Sequence, residues 1–124
     1  MSASSLHNDL IVFDGLIVSN WSREIFENMR EGGLTGAKCT CCVLEGFTDT
    51  MRNISNWKQL IGENADLLQQ AYSTDDIRDA KKAGKTAIVL GFQNVSAFED
   101  QIGYIRLFKE LGVGIVQMAY NTQN

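Results

Sequence analysis

Apolar and polar positions along this chain fall into blocks that switch between the two-residue period of a strand and the 3.6-residue period of a helix. The run Leu10-Ile11-Val12-Phe13-Asp14-Gly15-Leu16-Ile17-Val18 is apolar on both faces and predicts a parallel strand covered on two sides. Ser22 follows as an N-cap, with Ile25, Phe26 and Met29 on one face of a helix that Gly32-Gly33 ends. A second strand is predicted from Ala37 to Leu44. The loop Glu45-Gly46-Phe47 then leads to a helix from about Asn53, whose apolar stripe is Trp57, Leu60, Ile61, Leu67 and Leu68. Gly62 weakens that helix and could divide it. Ser73-Thr74-Asp75-Asp76 has the form of a cap with acids in the first turn, opening a short helix to Lys82 that Gly84 stops. The clearest strand is Thr86 to Phe92. After Gln93-Asn94, a helical pattern runs through Phe98, Ile102, Ile105, Phe108 and Leu111 to Gly112. A last strand, Val113 to Ala119, closes the series.

Strands near 10–18, 37–44, 86–92 and 113–119, separated by helices, imply βαβ units with right-handed crossovers and a parallel sheet. Four such units are half of a (β/α)8 TIM-type barrel, which typically takes about 250 residues. The expected fold class is therefore α/β, the amino-terminal half of a barrel: a partial domain over 1–124 with an N-terminal tail at 1–9. No proline occurs among the 124 residues, which fits an incomplete domain. Bare sheet edges at the first and fourth strands predict self-association, so a homo-oligomer is an expected state.

Composition narrows the function classes. The net charge of -4 and scattered lysines argue against a nucleic-acid partner, which needs a clustered basic face. No apolar run has the length of a membrane span, and Met1-Ser2-Ala3-Ser4-Ser5 lacks a basic-then-apolar signal, so the default expectation is a cytoplasmic protein without membrane contact. The triplets at Asn20, Asn53 and Asn94 match glycosylation acceptors in form and, without a signal, are read as coincidental. Cys39, Cys41 and Cys42 have no distant partners for a disulfide framework and no second ligand pair for a zinc knuckle. They are expected as reduced thiols on a strand, Cys39 and Cys41 on one face and Cys42 on the other.

In parallel α/β folds ligands bind at the carboxyl ends of the strands. That rule selects Ser19-Asn20-Trp21, Glu45-Gly46-Phe47, Gln93-Asn94 and Tyr120-Asn121-Thr122-Gln123-Asn124. These clusters are rich in amides, which orient a substrate well but are poor general bases and weak metal ligands. Glu45 is the one carboxylate placed to act as a base or ligand. His7-Asn8-Asp9 precedes the first strand and lies about 25 Å from its active end if extended, so it is assigned to the tail. Asp14, within the first strand, is expected to have a structural role, accepting hydrogen bonds from neighbouring loops. Trp21 and Trp57 are expected as packing residues.

Three segments together resemble the zinc dipeptidase family of renal-type membrane dipeptidases. They are the Asp14-Gly15 strand, Gly91-Phe92-Gln93-Asn94 followed by Glu99-Asp100, and Leu111-Gly112-Val113-Gly114-Ile115-Val116-Gln117-Met118-Ala119-Tyr120-Asn121. The resemblance covers nearly the whole chain from about Leu10. It implies a (β/α)8 barrel, a zinc cofactor and hydrolysis of a dipeptide or related small amide by metal-bound water. The family's His-x-Asp metal motif is matched here by Leu16-Ile17-Val18, its bridging glutamate by Gln93, and its substrate-contacting histidine by Tyr120. The resemblance thus implies a divergent member in which this segment supplies substrate-binding residues (Gln93, Asn94, Tyr120, Asn121 and Asn20) and no metal ligand. The alternatives are a catalytically silent barrel-derived module that binds a small polar ligand, an inactive fragment, and thiol-based sensing through the three cysteines.

Overall fold

Among the described residues, the strand and helix periods of the sequence resolve into five strands, all paired in parallel, and five helices. The computed structural model describes residues 3–121. In chain order the elements are α1 (Ala3–Asp9), β1 (Phe13–Ile17), α2 (Arg23–Glu31), β2 (Gly36–Cys42), α3 (Phe47–Glu63), β3 (Leu68–Gln70), α4 (Thr74–Lys82), β4 (Thr86–Phe92), α5 (Gly103–Glu110) and β5 (Val113–Val116). The sheet runs β1-β2-β4-β3, and β5 also pairs with β4. Because β2 occupies one side of β4 along its length, β3 and β5 share the other: β3 lies beside Thr86–Ile88 and β5 beside Leu90–Phe92. No helix among the described residues is long and apolar enough to cross a membrane.

Alternation along β2 and β4 divides the core. Ala37, Cys39, Cys41, Ile88, Leu90 and Phe92 point to the layer of α2, α3 and α5, where Phe26, Ile54, Trp57 and Phe108 are buried. The opposite face carries Ala87 and Val89, against which α4 packs through Ala80 and Ile77. Rings tie the first layer together: Phe108 meets Phe92 edge-on at 5.0 Å and Phe47 at 5.4 Å between centroids. Burying each such ring stabilises the fold by roughly 1.5–3 kcal/mol. Lys81 on α4 donates from Nζ to the carbonyls of Asn8 and Leu10, fixing α4 to the segment that enters β1.

Several expectations hold, and several differ for reasons outside the local pattern. Ser22 caps α2 through Ile25 N–H, and Ser73 with Asp76 forms a reciprocal capping box on α4. The stretch assigned to a tail contains helix α1, held by His7 Nε2 at 3.0 Å from the Gly32 carbonyl; Met1 and Ser2 lie outside the described residues. Gly33, at φ +75°, leaves the space that the imidazole fills. The first strand is shorter than 10–18 and largely exposed, because β1 is an edge strand with a neighbour on one side only. Asp14 Oδ1 accepts Leu16 N–H at 2.9 Å inside that strand, where the register with β2 shifts.

β2 ends at Cys42 and not at Leu44, because the Glu45 carboxylate takes the N–H groups of Val43 and Leu44. α3 starts at Phe47, well before Asn53, because the carboxylate of distant Glu99 accepts Phe47 N–H at 3.1 Å. The helix runs unbroken through Gly62 and stops at Asn64, whose amide folds back to the Leu60 carbonyl. Leu67 and Leu68 are buried as the stripe predicted, but Leu68 opens β3, a strand the helical pattern concealed. The predicted helix after Asn94 is split into a single 3-10 turn, Ser96–Phe98, and α5, with Glu99 at φ +50° between them. The last strand stops at Val116, short of Ala119.

Candidate functional site

β2 and β4 deliver their carboxyl ends side by side, and the side chains on the face away from α2 and α3 converge there. Lys38 and Thr40 alternate onto that face from β2, and Gln93 follows the last residue of β4. Gln93 is 7% exposed, and its Nε2 donates to Thr40 Oγ1 at 3.0 Å. Its backbone N–H donates to the Cys42 carbonyl at 2.8 Å, continuing the β2–β4 ladder by one residue. The Lys38 side chain passes over Gly91 and places Nζ 3.1 Å from the Phe92 carbonyl. A Cβ at Gly91 would lie 2.5 Å from Lys38 Cε, so only glycine leaves the lysine this path. Lys38 is 3% exposed, and burial pulls its ammonium below the ordinary lysine pKa.

Asn94 turns the other way and is 1% exposed, so its amide is part of the interior and not of the open rim. Its carbonyl faces the Cys42 thiol at 3.9 Å, and its side-chain Oδ1 has no partner among the described residues. Asn20, Tyr120 and Asn121 are exposed on the segments that follow β1 and β5. Thr122, Gln123 and Asn124 lie outside the described residues. Of the predicted site residues, then, the sheet gathers Gln93 into a hydrogen-bonded group and leaves Asn20, Tyr120 and Asn121 at solvent. The residues that sequence reasoning missed are Lys38 and Thr40. The available signal was a lysine in mid-strand flanked by Ala37 and Cys39, which alternation places opposite the apolar face.

The remaining candidates are committed to structure. Both Glu45 carboxylate contacts are backbone N–H groups of its own turn, and its carbonyl receives the Ser96 hydroxyl at 2.9 Å. Trp21 packs on Phe26 and Trp57 with centroids at 5.9 and 4.8 Å, and the Trp57 indole N–H reaches the Thr40 carbonyl. His7 belongs to the end where β2 begins, away from the rim.

All three cysteines are free and buried, and the register shift between Thr40 and Cys42 brings Cys42 beside Phe92. It therefore joins Cys39 and Cys41 in the same core, against strict alternation. Burial pushes the Cys41 thiol up to about 12 and Cys39 higher still, so neither forms a thiolate near neutrality.

Among the described residues, no group of three or more His, Cys, Asp or Glu side chains is placed to hold a metal ion. The rim offers donors in place of ligands: an ammonium, an amide and a hydroxyl. These residues do not fit the zinc that the resemblance implies.

Parallel strands with covering helices and a polar rim at their carboxyl ends define the amino-terminal part of a TIM-type barrel. The chain belongs to the membrane dipeptidase family, peptidase family M19, whose model matches residues 5–124. It superposes on an amidohydrolase from Pseudomonas aeruginosa with a TM-score of 0.98 and 60% identity, over 100% of this chain and 38% of that one. The probable dipeptidase PvdM from Pseudomonas aeruginosa gives a TM-score of 0.82 at 18% identity, over 98% of this chain and 38% of its own. The dipeptidase AC, a metallopeptidase of family M19, gives 0.70 at 12% identity, over 88% of this chain and 43% of its own. The last two show the fold alone. The chain thus spans about two fifths of the length of these solved proteins. No curated protein matches it.

Proposed function

We propose that this chain is part of a dipeptidase-like hydrolase acting on the amide bond of a dipeptide or related small molecule, and that its own residues bind substrate and hold no metal. Family membership over residues 5–124 supports the reaction class. The observation that carries the division of labour is the pair Gln93–Thr40 at the carboxyl end of the sheet, neutral groups joined at 3.0 Å. Neutral amides and hydroxyls orient a substrate through directional hydrogen bonds and contribute little as bases. Gln93 would hold a polar group of the substrate, with Asn20, Tyr120 and Asn121 approaching from the adjoining segments. Zinc, the cofactor implied by the family, would be held by ligands outside residues 3–121.

A second reading is a catalytically silent module that binds a small polar ligand. The donor-rich rim favours it, since the same groups would serve binding without chemistry. Assay of the intact protein on a panel of dipeptides and N-acyl amino acids separates the two. Turnover that falls at least tenfold in kcat/KM for Gln93→Leu supports the hydrolase. Saturable ligand binding with no turnover, with zinc supplied, supports the module and overturns the hydrolase.

A further inference from the structure

Glu99 combines a backbone shape that suits glycine with a side chain that glycine lacks. Its φ of +50° and ψ of -134° belong to the first central position of a type II′ turn. Gln101 N–H closes that turn on the Phe98 carbonyl at 3.0 Å. Among the described residues Glu99 is the one non-glycine residue with positive φ. Glycine would adopt this shape without steric cost, whereas glutamate holds it only where surrounding contacts over-determine it. What glutamate brings to the turn is a carboxylate.

That carboxylate is the last of three rungs between the segment after β4 and the segment after β2. Gln93 N–H donates to the Cys42 carbonyl at 2.8 Å, and the Ser96 hydroxyl donates to the Glu45 carbonyl at 2.9 Å. Phe47 N–H donates to Glu99 Oε1 at 3.1 Å. The rungs advance in step along both segments, from the rim at Gln93 outward to Glu99. The outermost one is charge-assisted and sits at the positive end of α3, whose N-cap, Gly46, has no side chain to cap the helix. The turn itself stands on a fixed base, since Phe98 packs on Phe92 and Phe108 with centroids at 5.8 and 5.9 Å. Every contact in this lacing lies within the chain and is complete as it stands.

We propose that Glu99 is a positioning residue: a latch that draws the 93–101 segment onto the start of α3 and so holds Gln93 in place at the rim. This role rests on Gln93 being a substrate contact, as proposed above, and adds what keeps it there. With the carboxylate removed, the turn loses the contact that offsets its strain, and the lacing opens from Glu99 back towards Gln93. Glu99 acts through Gln93 and not on the substrate itself.

The test compares two variants of the intact protein. Glu99→Gly suits the turn and lacks the acceptor; Glu99→Gln keeps an acceptor oxygen in the same strained turn. Exchange of backbone N–H groups with solvent is followed by NMR, together with the Gln93 Nε2 resonance. In Glu99→Gly the Phe47 and Gln93 N–H groups are expected to exchange at least tenfold faster, and the Gln93 Nε2 signal to move towards that of an unbonded amide. Glu99→Gln is expected to keep both exchange rates within threefold of the unsubstituted protein. Gln93 unmoved in Glu99→Gly, Glu99→Gln behaving as Glu99→Gly, or changes spread over the whole amide spectrum would each overturn the proposal. On a dipeptide, Glu99→Gly is expected to raise KM at least fivefold with kcat within twofold, and to add nothing further to Gln93→Leu. An equal rise in KM in the Gln93→Leu background would also overturn it. A protein that turns over no dipeptide but shows the Gln93 response loses the hydrolase reading and keeps the latch. Turnover with Gln93 indifferent to Glu99 does the reverse.

Discussion

The side-chain amide of Gln93 donates to the Thr40 hydroxyl at 3.0 Å, joining the ends of β4 and β2 across the candidate rim. Removing either partner leaves the other poorly satisfied in a part-buried setting, a loss of about 1 kcal/mol. Gln93→Leu and Thr40→Val are each expected to show it in urea unfolding. The double variant is expected to lose less than the sum, since both polar groups then leave together. Strict additivity would contradict a direct bond.

Phe108 is buried among Phe47, Phe92 and Phe98 with centroid separations of 5.0 to 5.9 Å. Phe108→Ala is expected to destabilise the chain by about 3–5 kcal/mol, the cost of lost transfer energy plus a cavity. The shift of the denaturant midpoint at constant slope measures it. A loss under about 1 kcal/mol would mean that α5 does not pack on β4 as described.

Asp76 accepts from the backbone N–H of Tyr72 and Ser73 and from the Ser73 hydroxyl, which holds its carboxyl below the usual carboxylate range. A lowered folded pKa means stability that is present above the unfolded value of about 3.9 and lost as pH falls through the folded value. The stability gap between the unsubstituted chain and Asp76→Asn is therefore expected to be open at pH 6 and to close by pH 2. Unfolding curves across that range check the sign. A gap that widens on acidification would be incompatible with the capping box.

Cys39, Cys41 and Cys42 are all within 1% of full burial, and the raised pKa of Cys41, about 12, leaves almost no thiolate at pH 8. Native protein is expected to react with a thiol reagent at least a hundredfold more slowly than the denatured chain, with three equivalents appearing on denaturation. Rapid labelling of one thiol in the native state would revive a sensing role.

Much of the fold was legible because period and punctuation agreed. The run Thr86–Phe92 is apolar after its first residue and proved buried throughout, as a central strand with neighbours on both sides must be. Ser22 and Ser73 were readable as caps because the cap and its target lie within three residues. What escaped was set by contacts distant in sequence. The Glu99 carboxylate that starts α3 comes from a loop 52 residues away, and Leu67-Leu68 look the same to a period count whether they end a helix or begin a strand. At the site, Gln93 was readable from its place after the clearest strand. Lys38 was not, because attention to strand ends passed over a long side chain that starts in mid-strand and reaches the rim along Gly91.

The central claim is that the rim made by this chain binds substrate through donors and does not grip a metal. Equilibrium dialysis of the 124-residue chain against zinc, with metal content measured per chain, tests it most directly. The account predicts weak, non-stoichiometric uptake and no dipeptide hydrolysis by the chain alone. One tightly held zinc per chain, accompanied by dipeptide turnover, would contradict it.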